Sequence, residues 1–233
     1  MRRAAPAELA PGVLRVPTAV GNNAFLVDGD EGLILVDVGW LGAPARIESS
    51  VADLGRTLTD IRQIVLTHAH PDHVRGAAEL RARTGAQVLI HRADADWLRA
   101  GRVPPAGRSG RVGRLIDRVP LLHWRPLEPD GVLTDGEYVG GSSGLRVIHT
   151  PGHTPGHIAL LHEPTDTVFV GDAIFNRGTE LSLGPAALAA DPLLRPTGLA
   201  RLPRTVRAVG LAHGDPLVND DLQRYTALLN LPT

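Results

Sequence analysis

The run Ile61-Arg-Gln-Ile-Val-Leu-Thr67 and, directly after it, His68-Ala69-His70-Pro71-Asp72-His73 decide how this chain reads. The first part is a short apolar strand rich in branched residues. In extended backbone alternate side chains share a face, so His68 and His70 can reach one centre. Pro71 disfavours helix at the residue before it and itself suits the first turn of a helix. The chain therefore turns at Pro71, and Asp72 and His73 project from the start of a helix expected over 72–83. Four potential ligands converge on one strand-to-helix junction and divide into two sets, which suits two neighbouring metal ions better than one. Neutral imidazole and carboxylate are the usual ligands of catalytic zinc, and they also serve iron and manganese.

Outward from this junction, three more strand ends carry similar chemistry. A strand expected over 145–149 runs into Thr150-Pro151-Gly152-His153-Thr154-Pro155-Gly156-His157, a Pro/Gly turn that can fix either His153 or His157 as a ligand. The apolar run Val168-Phe169-Val170 ends in Gly171-Asp172, and a strand expected over 206–211 ends at His213. Taken singly, Gly-Asp after a strand is a turn, and a lone histidine is a hydrogen-bonded structural residue. Together they put ligands at the C-terminal ends of four strands, where they can meet along one edge of a sheet sandwich.

The remaining pattern fits that placement. Strands are expected at 12–19, 23–28, 33–39, 87–90, 131–139, 157–162 and 167–170, with helices at 44–56, 93–100, 192–202 and 216–229. The order is strands then helices, twice, which two sheets packed face to face with helices outside would satisfy. One large α/β domain over residues 1–233 is the simplest organisation. The stretch 101–126 differs: it holds Gly, Pro and the six arginines Arg102, Arg108, Arg111, Arg114, Arg118 and Arg125. It reads as a surface loop or a lid, whose arginines would favour an anionic substrate.

Composition removes several chemistries. The chain has no cysteine, so disulfides, thiolate nucleophiles and thiolate-ligated zinc are excluded. All 24 basic residues are arginine, so no lysine Schiff base or lysine base is available. The net charge of -1 gives no sign of a nucleic-acid partner. Aromatic residues make up only 3%, so the core must be built of Val, Leu, Ile and Ala. The segment 1–16 lacks an apolar stretch of signal-peptide length, and no run approaches the roughly 20 apolar residues of a membrane span. The expectation is a cytoplasmic protein with a small-molecule substrate, no membrane partner, and a homodimer as the default assembly.

The residues quoted so far resemble the metallo-β-lactamase superfamily, in its glyoxalase II-like branch. The resemblance covers nearly the whole chain: NAFLVDGDEGLILVDVG, ending near Asp37, then THAHPDH, TPGHTPGHIALL, TVFVGDAIF and GLAHGDP. It implies a four-layer αββα sandwich with the site on one edge. It assigns His68, His70 and His153 to a first metal, Asp72, His73 and His213 to a second, and Asp172 to a bridge between them. It selects His153 over His157, and it makes Asp37 a residue that orients the metal loop. Two divalent ions, zinc first and iron or manganese as alternatives, would supply a bridging hydroxide. The implied reaction is hydrolysis of an ester, thioester or lactone type bond, with Asp72 as both ligand and proton shuttle.

Within the superfamily, the cysteine-ligand β-lactamase branch is excluded, and the cysteine-free branch lacks the bridging aspartate that Asp172 provides. Glyoxalase II itself binds glutathione partly through lysines and a C-terminal helical domain. This chain has no lysine, and only 20 residues follow His213. Two other readings are a mononuclear-iron, persulfide dioxygenase-like oxidoreductase using only His68, His153 and Asp172, and a non-catalytic metal-binding member. His91, His123, His149 and His162 are expected to be structural or exposed.

Overall fold

The computed structural model describes residues 6–105, 107–141 and 144–230. Ala106, inside the expected 101–126 loop, lies outside them. Seven strands form one sheet in sequence order: β1 (Ala7–Ala10), β2 (Val13–Ala19), β3 (Asn22–Gly29), β4 (Gly32–Val36), β5 (Ile61–Leu66), β6 (Gln87–His91) and β7 (Gly131–Leu133). β1 to β4 are antiparallel neighbours, and β4 to β7 are parallel. The second sheet is built from β8 (Leu145–His149), β9 (Ile158–His162), β10 (Thr167–Phe169), β13 (Ala208–Gly210) and β14 (Leu217–Val218), in the order β14-β13-β10-β9-β8. Between them in sequence, β11 (Phe175–Asn176) and β12 (Leu181–Ser182) make a small hairpin.

The strand sequences explain the layering. Residues of β3 and β4 are apolar on both faces, as strands buried on both sides must be. Ala24, Leu26, Leu33 and Leu35 point to an outer core made with helices α1 (Ala43–Asp53), α3 (Ala77–Thr84) and α4 (Ala95–Ala100), through Ile47, Val51, Leu80 and Leu98. Their alternates, Phe25, Val27, Ile34 and Val36, point to an inner core shared with Leu145, Val147, Ile158, Leu160 and Phe169 of the second sheet. The opposite face of that sheet, with Ile148, Ala159, Val168 and Val209, packs on Leu199, Tyr225 and Leu229. Those last residues lie on α6 (Arg195–Leu199) and α7 (Leu222–Leu229), the helices read from sequence in this region. Three apolar layers between four structural ones make the αββα sandwich. Two short helices remain: α2 (Pro71–Val74) and α5 (Gly110–Ile116). No helix among the described residues is long and apolar enough to cross a membrane.

Several boundaries differ from expectation for physical reasons. The helix expected over 72–83 is broken into α2 and α3. At the break a Cβ on Gly76 would lie 2.6 Å from Val38 and 3.0 Å from Pro44, and the Gly76 N–H is spent on the Gly39 carbonyl. The strand expected over 131–139 ends at Leu133. The helix expected from 216 begins only at Leu222, because Leu217 and Val218 pair with β13. β1 and the β11–β12 hairpin went unread.

Strand direction then gathers the site. β8 and β10 are both antiparallel to β9, so they run the same way, and β10 is parallel to β13. Their C-terminal ends therefore share one edge of the second sheet. The end of β5 in the first sheet meets that edge: the Ile158 N–H binds the Thr67 carbonyl at 2.9 Å.

Candidate metal centre

Four chain segments deliver the polar side chains. The junction after β5 presents His68 from a bend and His70 in extended backbone, and α2 presents Asp72 and His73. The turn after β8 supplies His153, the turn after β10 supplies Asp172, and the turn after β13 supplies His213. Three sets of potential ligand atoms lie mutually within 4.8 Å: His68, His70 and His153; Asp72, His73 and His213; and His68, His73 and Asp172. All seven residues expected from the sequence are thus brought together. Asp172 stands between the first two sets. Its Oδ2 lies 3.2 Å from His153 Nε2, while its Oδ1 lies 3.1 Å from His73 Nε2 and 3.2 Å from His213 Nε2.

These atoms fit a cation better than they fit each other. His70 Nδ1 and His153 Nε2 face one another at 2.8 Å. His68 Nε2, His73 Nε2 and Asp172 Oδ1 are buried and make no hydrogen bond among the described residues. Buried polar atoms left unmatched cost free energy, and a metal ion between them removes that cost.

The supporting hydrogen bonds fix ring orientation. Asp37 lies in left-handed backbone at φ 58°, a conformation that aspartate tolerates better than most residues. Its Oδ1 accepts the Thr67 N–H at 2.8 Å. Its Oδ2 accepts the Thr67 hydroxyl and the His73 Nδ1–H, each at 2.8 Å. With Nδ1 protonated, the Nε2 lone pair of His73 points into the site. His157 is not among the gathered ligands. Its Nε2 accepts the Asp172 N–H at 2.9 Å and its Nδ1 pairs with the Thr150 hydroxyl at 2.8 Å, so it holds the Asp172 backbone in place.

One supporting residue escaped the sequence reading. Asp94 is fully buried, and its Oδ2 accepts the Ala69 N–H at 2.9 Å and the Thr154 hydroxyl at 2.6 Å. Its Oδ1 accepts the Gly156 N–H at 2.6 Å. It therefore ties the His68–His70 loop to the turn that carries His153. The other histidines stay apart from the centre: His91 and His149 stack on each other at 4.1 Å, and His162 bonds Thr165. In 101–126, Arg102, Arg111, Arg114, Arg118 and Arg125 are exposed, whereas Arg108 is buried and paired with Asp117 at 2.8 Å.

Charge follows geometry. Burial, with neighbouring positive groups, holds His68 and His70 well below the usual histidine range, so both are neutral and ready to ligate. Burial also opposes charge on His73 and His213. There the carboxylates outweigh it, led by Asp172, so His73 rises well above its usual range and His213 to about 10. Burial likewise opposes charge on Asp172, but His213, His73 and His153 hold it well below the carboxylate range. Protons on His73 and His213 thus do the balancing that bound cations would do.

Residues 17–212 match the pattern that defines the metallo-beta-lactamase superfamily. The chain belongs to that superfamily. Among superfamily relatives, the hydroxyacylglutathione hydrolase of Cereibacter sphaeroides is 36% identical over 168 residues, 71% of this chain and 53% of that protein. The probable metallo-hydrolase YqgX of Bacillus subtilis is 30% identical over 156 residues, 67% of each chain. The matched region thus spans about half the length of the hydroxyacylglutathione hydrolase. Of solved structures, a metallo-beta-lactamase family protein from Thermus thermophilus aligns with a TM-score of 0.71 and 25% identity, over 95% of this chain and 79% of that one. A metallo-beta-lactamase from Cronobacter sakazakii aligns with a TM-score of 0.69 and 26% identity, over 91% and 81%.

Proposed function

We propose that this superfamily member is a dinuclear-metal hydrolase acting on an ester or thioester type acyl bond, with lactones in the same class. The observation that carries the reading is the division of Asp172, whose two oxygens face two separate triads of ligands. His68, His70 and His153 would hold one ion, Asp72, His73 and His213 the other, and Asp172 would bridge them. Zinc suits this all-imidazole-and-carboxylate set, and iron or manganese can occupy the same donors. When bound, the pair supplies a water activated at neutral pH and a Lewis acid for the acyl oxygen. The names of the relatives, hydroxyacylglutathione hydrolase among them, favour a thioester.

The chain's own groups do the rest. Asp37 keeps the His73 proton on Nδ1, and His157 and Asp94 hold the turns that present Asp172 and His153. Asp72 and His213 are the solvent-facing members of the set, at 22% and 21% side-chain exposure. Asp72 is thus the carboxylate placed to take a proton from the attacking water and hand it to the leaving group.

The test is metal analysis of purified protein together with a screen of thioester, ester and lactone substrates, on the wild type and Asp172→Ala. Two metal ions per chain and thioester or ester turnover are expected. In the variant, metal content and kcat/KM should fall together, activity by on the order of 10³-fold. Full activity in Asp172→Ala, or one tightly held iron with oxygen consumption, would sink the reading.

A further inference from the structure

Arg195 is the buried cation for which the site so far described has no use. It is 7% exposed, and among the described residues no carboxylate forms an ion pair with it. Its Nη1–H donates to the Gly184 carbonyl at 3.3 Å, while Nε and Nη2 are buried without a hydrogen-bond partner. A buried guanidinium with two idle donors is costly unless an acceptor meets them.

Its place in the fold says what would. A Cβ built on Gly152 would lie 2.8 Å from Arg195 Cγ, so the side chain crosses directly over the residue preceding His153. At its far end, Gly184 packs on the ring of Phe175, and that ring stacks on His213 at 4.6 Å and 3°. The side chain therefore runs from beside Gly152, which precedes His153, to the Gly184 carbonyl, whose residue packs on the ring that stacks on His213. Asp172, which faces both His153 and His213, is the carboxylate that acts on it, opposing the effect of burial.

Charge completes the argument. Asp37, Asp72, Asp94 and Asp172 carry four negative charges, against two divalent ions and Arg195. The loaded site has one positive charge in excess, which suits a single anionic group on the substrate. Nε–H and Nη2–H lie on one edge of the guanidinium plane and point the same way, the arrangement that receives two carboxylate oxygens side by side. Arg108, the other buried arginine near the centre, is already neutralised by Asp117.

We propose that the Nε/Nη2 edge of Arg195 binds a carboxylate carried by the substrate, so that the preferred substrates are acyl esters or thioesters bearing a carboxylate close to the scissile bond. This rests on the hydrolase reading above, and the experiment separates the two. Metal-loaded wild type, Arg195→Met and Arg195→Lys are assayed on a matched pair, neutral p-nitrophenyl butyrate and the p-nitrophenyl half-ester of succinic acid. Binding of succinate and of inorganic phosphate is measured by calorimetry, and metal content is measured for each protein.

Arg195→Met should lose about 10–100-fold in kcat/KM on the half-ester, mostly through KM, and less than about threefold on butyrate. Succinate affinity should fall in step, metal content should stay unchanged, and Arg195→Lys should recover only part of the loss because it lacks the planar edge. If Arg195→Met does not fold, Arg195→Lys decides the matter by a selective loss on the half-ester of roughly tenfold. Equal losses on both esters, loss of metal, or unchanged succinate affinity would overturn the assignment. Phosphate binding tighter than succinate, and equally dependent on Arg195, would overturn the choice of carboxylate. If wild type cleaves neither ester, the hydrolase reading is what fails, and the succinate titration still judges Arg195.

Discussion

The two halves of the candidate centre are built differently. His68, His70 and His153 are at most 3% exposed, and Asp94 ties their two loops together with three hydrogen bonds. Asp72, His73 and His213 form the open half: two of the three are about one-fifth exposed, and support comes from Asp37 and from the Phe175 ring. The closed half consists of imidazoles only, with His68 and His70 held well below the usual histidine range, whereas the open half contains a carboxylate and the two histidines most inclined to keep a proton. A buried, preorganised, all-imidazole set should hold its ion firmly and exchange it slowly. The open set should release its ion first, and it faces the solvent from which substrate arrives.

The sharpest way to break this comparison is to remove the two tethers separately. Asp94→Ala should weaken the closed site and Asp37→Ala the open one, each by about 10–100-fold in metal affinity, the usual cost of losing a group that orients a ligand. Stepwise titration of metal-free protein, read by calorimetry, reports the two sites in turn. In Asp94→Ala the tighter step should weaken; in Asp37→Ala the weaker one should. Both variants weakening the same step would show that the halves are not independent.

Much of this architecture was legible because the ligands are local or lie at strand ends. The His68-to-His73 run carries its own turn signal in Pro71, and His153, Asp172 and His213 each follow an apolar run. The apolar runs of β3 and β4, bounded by turn residues, could be read as strands, and their two apolar faces give the layers. Asp94 was illegible for a physical reason. Beside α4 it occupies the position of a helix cap, yet it makes no side-chain capping bond. Its acceptors are spent on residues 25, 60 and 62 positions away, which no local pattern records. Arg195 was hidden in the same way, since its surroundings are Gly152 and Gly184. The choice of His153 over His157 needed family resemblance, because both end the same four-residue sequence, Thr-Pro-Gly-His.

Acid–base balance offers a gentler test. In the metal-free protein His213 has its pKa pushed up to about 10 from 6.5, and His73 also rises well above its usual range. A raised folded-state pKa gives stability that is fully present below 6.5 and is lost as pH climbs through the folded value. His68 and His70, pushed down by burial, contribute the other flank: their stability is present above 6.5 and is lost as pH falls further. Chelated protein should therefore be most stable near neutrality and lose several degrees of Tm between about pH 7 and 10. Loaded protein carries no proton on these nitrogens, so the gap in Tm between loaded and chelated samples should widen over that range. A gap that stays constant or narrows would mean that the open half is not balanced by protons in the way described.

The smallest expected effect isolates the open half alone. Phe175 lies parallel to the His213 ring, and the backbone of Asn176 also pairs with His213, its N–H meeting the His213 carbonyl at 3.0 Å. Replacing Phe175 with Leu keeps the backbone contacts and most of the apolar volume but removes the stacked face. Such ring pairs contribute about 0.5–1.5 kcal/mol, which corresponds to a change of roughly two- to tenfold in an equilibrium constant. The weaker metal-binding step should shift by that amount, and the tighter step should not move, because the ring stacks on His213 of the open set. The same variant should speed loss of one ion to a chelator and leave the second ion's release unchanged. If both steps moved together, the ring would be acting on the whole edge of the sandwich through Gly184 and the segment above it, and the division into a closed and an open half would have to give way to a single coupled unit.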